Sequence, residues 1–207
     1  MKRASQQNVL LVSAWLLLLL LPACGQETRL PALPPSAVIL AVGDSLTHGT
    51  GAAPQESYPA VLETLTGRRV VNAGVPGEES DAGLARLTRL LNQVKSDLVI
   101  LGHGGNDILR GRDPARTESN LRQMAELARQ HGASVVLLGV PSPSIFLGTH
   151  PLYERLAESL QIPLEEDALP DILGDGALKS DPLHPNAAGY RKLAEAVYDL
   201  LVEQGAL

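Results

Sequence analysis

Two hydrophobic patterns alternate along the chain. Val38-Ile39-Leu40-Ala41-Val42 is an unbroken apolar run stopped by Gly43, and Leu98-Val99-Ile100-Leu101 is another, stopped by Gly102. Ser134 to Val140 is a third, closed by Pro141-Ser142-Pro143. Short aliphatic and β-branched runs bounded by turn formers are the signature of strands buried on both faces. Arg69-Val70-Val71-Asn72 reads as a further strand and Ile162-Pro163-Leu164 as a short edge strand. Between them the apolar positions take helical spacing: Tyr58, Val61, Leu62 and Leu65, then Leu84, Leu87, Leu90, Leu91 and Val94, then Leu121, Met124, Ala125, Leu127 and Ala128. These predict helices over Tyr58–Thr66, from an N-cap at Asp81 through Val94, and over Thr117–His131. Pro151–Leu160 and Asn186 to about Glu203 read as two more, and Thr47 to Gly51 as loop.

Strands that alternate with amphipathic helices imply right-handed crossovers and a parallel sheet covered on both faces. The expected fold class is therefore α/β, a three-layer α/β/α sandwich around about five parallel strands. In such sheets ligands bind at the carboxyl edge. The first three strands end in the glycine-containing loops Gly43-Asp44-Ser45, Ala73-Gly74-Val75-Pro76-Gly77 and Gly102-His103-Gly104-Gly105-Asn106-Asp107, so that edge should gather Ser45, Gly77 and Asn106.

The N-terminus breaks the alternation. Lys2 and Arg3 precede an apolar run from Val9 to Leu21 that only Ser13 interrupts. It is too short for a comfortable span, which takes roughly 20 apolar residues, and it suits a signal peptide. Leu21-Pro22-Ala23-Cys24 resembles a bacterial lipobox, which would make Cys24 the lipidated first residue of the mature chain. Residues 1–23 are thus expected to be a lipoprotein signal peptide, 24–36 a lipidated N-terminus and Pro-rich flexible tether, and 37–207 one globular domain. The expected location is outside the cytoplasm, anchored to a bacterial membrane facing the periplasm or cell exterior, with the bilayer as a partner through Cys24. Cys24 is also the only cysteine, which excludes an internal disulfide.

Composition narrows the function by exclusion. The formal charge is -6 with no basic block, which argues against a nucleic-acid partner. His48, His103, His131, His150 and His184 lack metal-ligand spacing, so neither metal nor cofactor is expected. Aromatics make up only 3%, leaving a core of Leu, Val, Ile and Ala.

The remaining signal is chemical. Ser45 stands at the mouth of the first strand, where it could equally cap the next element. Near the other end, Asp181-Pro182-Leu183-His184-Pro185-Asn186 sets a carboxylate three residues before a histidine. Such a carboxylate can bond one ring nitrogen and leave the other free, or merely cap a turn. Gly43-Asp44-Ser45-Leu46, Asn72-Ala73-Gly74-Val75-Pro76-Gly77, Gly104-Gly105-Asn106-Asp107 and the Asp181–Asn186 block, in this order, resemble the GDSL or SGNH hydrolase family. Gly83-Leu84-Ala85-Arg86-Leu87 and Asp107-Ile108-Leu109-Arg110-Gly111 match its small bacterial lysophospholipase, acyl-thioesterase and arylesterase branch.

The resemblance implies a flavodoxin-like fold and a serine esterase that cleaves carboxylic esters, thioesters or lysophospholipids through an acyl-enzyme. Ser45 would be the nucleophile, His184 the base and then acid, and Asp181 its orienter. The oxyanion hole would comprise the Ser45 and Gly77 N–H groups and the Asn106 amide, with Asp44 and Asp107 holding loops. The chain departs from the family in placing His103 before the third block, where an apolar residue is usual and where no carboxylate stands at a matching offset. Ser142 to Tyr153 is also shorter than in the branch, and Phe146 there is a candidate substrate contact. An acyltransferase would use the same site, and a non-catalytic binding lipoprotein would be expected to lack a member of it. The substrate is expected to be a small acyl ester. Oligomeric state is not encoded legibly, with a monomer as the default.

Overall fold

The computed structural model describes residues 29–142 and 148–207; Cys24 and Phe146 lie outside them. Strands β1 (Val38–Gly43), β2 (Arg69–Gly74), β3 (Leu98–Gly102), β4 (Ser134–Leu138) and β5 (Leu164–Glu165) form one parallel sheet in the order β2-β1-β3-β4-β5. The helices among the described residues are α1 (Ser45–His48), α2 (Tyr58–Thr66), α3 (Ser80–Val94), α4 (Gly105–Leu109), α5 (Pro114–Gln130), α6 (Pro151–Leu160), α7 (Ala168–Gly174) and α8 (Ala187–Glu203). Helix α2 packs on α8, and α3 on α5, which gives the expected three layers.

Burial explains the strand sequences. Ile39, Leu40, Val42, Leu98, Ile100 and Leu101 are wholly buried between the helical layers, each contributing roughly 1.5–3 kcal/mol of transfer free energy. The chain passes from β1 outward to β2, then crosses to β3 on the other side of β1. The crossovers on either side of β1 diverge at that reversal and leave a crevice at its carboxyl end.

Several boundaries differ from the sequence expectations. The stretch after Ser45 is not loop from Thr47 onward: residues 45–48 form a helical turn with Asp44 as N-cap. Asp81 is not the cap of α3. The helix starts at Ser80, after Glu79, and Asp81 sits in its first turn, where a carboxylate favours the helix dipole and pairs with Arg116. The helix expected from Thr117 begins at Pro114, with Asp113 capping the Ala115 N–H at 3.0 Å. Strand β4 stops at Leu138, and the edge strand is Leu164–Glu165 rather than 162–164. Two short helices, α4 and α7, fall where no periodicity could develop.

The expected flexible tether is corrected in its described part. The Leu30 N–H donates to the Gln204 carbonyl at 2.9 Å and the Leu33 N–H to that of Ala206 at 2.8 Å. Arg68 reaches the Leu33 carbonyl at 2.8 Å, and the Leu33 side chain is only 7% exposed. Prolines that would stiffen a free linker instead shape a strap across the amino edge of the sheet. Leu33→Ala should therefore destabilise the domain by about 2 kcal/mol, measurable by urea unfolding. A chain beginning at Pro34 should melt below one beginning at Arg29, and equal melting temperatures would mean the strap adds nothing.

Candidate active site

The site grows from three glycines. Gly43, Gly74 and Gly102 end β1, β2 and β3 in register, Gly43 lying opposite both of the others. A Cβ on Gly43 would collide with the Thr47 side chain and the Gly102 carbonyl, and one on Gly74 with the backbone of His48. With no side chains there, α1 folds back directly over the sheet edge. Asn72 pins it from below, its amide donating to the Thr47 carbonyl at 2.9 Å while its Oδ1 accepts from the Gly74 N–H. Asp44, 2% exposed, accepts from the Leu46 N–H at 3.0 Å. Burial pushes its carboxyl above the usual range, against the opposing effect of the hydrogen bonds it accepts.

Ser45 opens α1, and His184 faces it across the crevice with Nε2 at 3.0 Å from the serine Oγ. The other ring nitrogen, Nδ1, lies 2.8 Å from Asp181 Oδ2. A hydrogen on Nδ1 satisfies the carboxylate and leaves an Nε2 lone pair toward the serine hydroxyl, the tautomer that can accept its proton. The Asp181-Pro182-Leu183-His184 turn is self-supporting. Asp181 Oδ1 accepts from the Leu183 N–H at 2.8 Å and from the His184 N–H at 2.9 Å. Ser180 N–H donates back to the His184 carbonyl, and Asn186 caps α8 by accepting from the Gly189 N–H. The hydrogen bond from the His184 ring, helped by that of Leu183, holds the Asp181 carboxyl below its usual range. So Asp181 both caps a turn and faces the histidine.

Asn106 stands on α4, which starts where Gly104 takes φ 104°. Its Nδ2 donates to Asp44 Oδ2 and to the Glu78 carbonyl, both at 3.1 Å. Asp107 anchors α4 to α3 through the Ser80 N–H at 2.9 Å and hydroxyl at 2.6 Å. Both aspartates thus hold loops, as expected. Gly77 adopts φ 77° in the turn after β2. Among the described residues, neither the Ser45 nor the Gly77 N–H has an acceptor. Ser45, Gly77, Asn106 and His184 line one cleft of about 650 Å³, with Leu46, Leu109, Val140, Leu173 and Leu183 on its walls. No group of metal-ligating side chains occurs among the described residues.

One buried cluster went unread in the sequence. Contrary to the expectation that no carboxylate matches His103, its Nε2 lies 3.0 Å from Glu78 Oε2, from a loop 25 residues earlier. His103 is wholly buried and does not line the cleft, so it has no route to a substrate. Arg86 clamps both Glu78 oxygens through Nε at 2.8 Å and donates to the Ala73 carbonyl at 2.7 Å and the Gly43 carbonyl at 3.3 Å. Burial would raise the Glu78 carboxyl, but the hydrogen bonds from His103 and Arg86 outweigh it and hold it low. This cluster ties the ends of β1 and β2 to the loop whose carbonyl orients Asn106. Arg86→Leu leaves the largely shielded Glu78 carboxylate with His103 as its remaining side-chain partner and should cost about 1–3 kcal/mol in denaturant unfolding. His103→Leu leaves Glu78 paired with Arg86 and should cost clearly less; equal losses would show that the imidazole carries the cluster.

Residues 41–192 match the model of the GDSL-like lipase/acylhydrolase family, and the chain belongs to that family of hydrolases. Its relatives include esterase TesA of Pseudomonas aeruginosa, 34% identical over 194 residues that cover 88% of this chain and 96% of that protein. Thioesterase 1/protease 1/lysophospholipase L1 of Escherichia coli K12 is 32% identical over 72% of this chain and 75% of its own. A crystal structure of TesA superposes with a TM-score of 0.74 at 34% identity, covering 81% of this chain and 99% of that one.

Proposed function

We propose that the protein is an exported serine esterase that cleaves uncharged carboxylic esters through an acyl-enzyme. The observation that carries this reading is the Ser45–His184–Asp181 line, with contacts of 3.0 and 2.8 Å. Ser45 Oγ attacks the ester carbonyl while its proton passes to His184 Nε2, and Asp181 stabilises the imidazolium. The negative charge formed on the carbonyl oxygen meets the Ser45 and Gly77 N–H groups and the Asn106 amide; one such donor is typically worth about 100- to 1000-fold in rate. Asn106 serves by sharing a hydrogen that otherwise goes to Asp44 or Glu78. His184 then returns the proton to the departing alkoxide or thiolate, and water repeats the sequence on the acyl-enzyme.

The cleft favours an apolar acyl group. Its ionisable lining among the described residues is Asp44 and His184 alone, and residues 143–147, Pro-Ser-Ile-Phe-Leu, carry no charge. Among the described residues no lysine or arginine lines the cleft, and the Arg110 guanidinium beside Gly77 is paired with Glu79, so little there would neutralise a phosphate or carboxylate on the substrate. The lipobox-like segment ending at Cys24 supports export and lipid anchoring, and with them a reaction in the periplasm or at the cell exterior.

Ser45→Ala should abolish esterase activity without changing the melting temperature much, and should stop covalent labelling by an organophosphonate. Labelling that persists on another serine refutes the assignment.

The acid side of the pH profile tests the pair. The Asp181 pKa is lowered, so this carboxylate stays ionised until the pH falls below its ordinary range near 4. Asp181 itself therefore adds no proton to the acid limb of log kcat/KM above about pH 4. An inflection above that pH which Asp181→Asn removes would mean that Asp181 titrates within it. Asp181→Asn should lower kcat by roughly 10²- to 10⁴-fold with little change in KM, read with esters of several leaving groups.

A further inference from the structure

We infer that this enzyme, held by its lipid anchor, presents its active site away from the bilayer that carries it, so its substrates are esters that diffuse to it rather than lipids of that bilayer. The inference rests on the anchoring proposed above and goes beyond it by assigning the orientation and the substrate class.

The strap fixes the geometry. All five strands run parallel, and the catalytic cleft lies at their carboxyl edge. Leu30 and Leu33 bond to Gln204 and Ala206, just beyond the far end of α8. That helix starts beside His184 and runs 17 residues back along the sheet, about 25 Å. Arg29 itself lines a small concavity with Gly132, Ala133 and Gln161, all at the amino edge. The chain therefore enters the domain at the edge opposite the cleft. Between Cys24 and Arg29 lie five Cα steps, which reach at most about 18 Å when fully extended. Turning the cleft onto the bilayer would take a tether longer than the domain is tall, so five residues do not suffice.

The test uses the full-length lipidated protein in vesicles of phosphatidylcholine and phosphatidylglycerol. Two probes are compared: a soluble short-chain aryl ester, and a fluorogenic short-acyl ester fixed to the headgroup of a two-chain phospholipid in the same vesicles. A variant with about 20 Gly/Ser residues inserted between Thr28 and Arg29 gains a reach of roughly 25 Å on average and far more when extended. Wild type and variant should cleave the soluble ester equally, and the fixed ester equally in detergent micelles. In vesicles the variant should cleave the fixed ester at least about tenfold faster, because the linker raises the cleft's effective concentration at the surface. Equal rates on the fixed ester in vesicles, fast or slow, overturn the orientation. Mass spectrometry of the mature N-terminus reads the premise separately: a chain without lipid on Cys24 refutes the anchoring, and the orientation with it.

Discussion

The site depends on close approach of backbone to backbone at the carboxyl edge of the sheet. Gly43, Gly74 and Gly102 stand side by side because β1, β2 and β3 end in register. A methyl group at Gly43 or Gly74 would push α1 off that edge, since the atoms it would meet belong largely to the backbone or to the wholly buried Thr47. Interiors are packed too densely to absorb such a shift locally. Everything mounted on α1 would move with it: the Ser45 hydroxyl, the Ser45 N–H and the Asp44 carboxylate. The strand-end glycines therefore act as a mould for Ser45, the proposed nucleophile, and hydrophobic burial of the sheet sets the position of the mould.

Rigidity is distributed unevenly around the cleft. The half that holds Asn106 is fastened by buried groups: Asp44 on one side, the Glu78–Arg86–His103 cluster on the other, and the Tyr153 hydroxyl donating to the His103 carbonyl at 2.8 Å. The half that holds His184 hangs on a tight turn at the surface, where the Asp181 side chain is 47% exposed. Solvent screens the attraction between the imidazolium and so exposed a carboxylate. In the proposed reaction Asp181 thus acts as much by fixing the ring tautomer and orientation as by its charge, and Pro182 and Pro185 stiffen the turn that aims it.

Much of this was legible in the sequence because each feature is local. Strand β1 and helices α2 and α6 announce themselves by period and punctuation, and the Asp181–His184 turn by spacing within four residues. What escaped is long-range. His103 and Glu78 are 25 residues apart, and no pattern along the chain joins them; only the convergence of the second and third loops does. The pairing of Asp44 with Asn106 across 62 residues is of the same kind. The Pro-rich strap was misread for a related reason, since proline content describes a free chain, whereas Leu33 finds its burial among residues at the other terminus. The spacing of Leu30 and Leu33 was the available signal, isolated apolar side chains in a segment whose prolines suggest a flexible tether.

The electrostatics of the proposed oxyanion hole impose a choice that the buried side resolves. Asp44 is a carboxylate almost without exposure, set close to where an oxyanion would form, and two adjacent negative charges would oppose the reaction. Burial already disfavours the ionised Asp44, and the Leu46 N–H and the Asn106 amide are the donors that compensate it. When negative charge develops on a bound carbonyl, the Asn106 hydrogens have two anionic claimants, and a raised Asp44 pKa lets that carboxyl take up a proton more readily than an ordinary aspartate. Asp44 can therefore be retained for its geometry, capping α1 and orienting Asn106, at a smaller electrostatic penalty than its position alone would suggest.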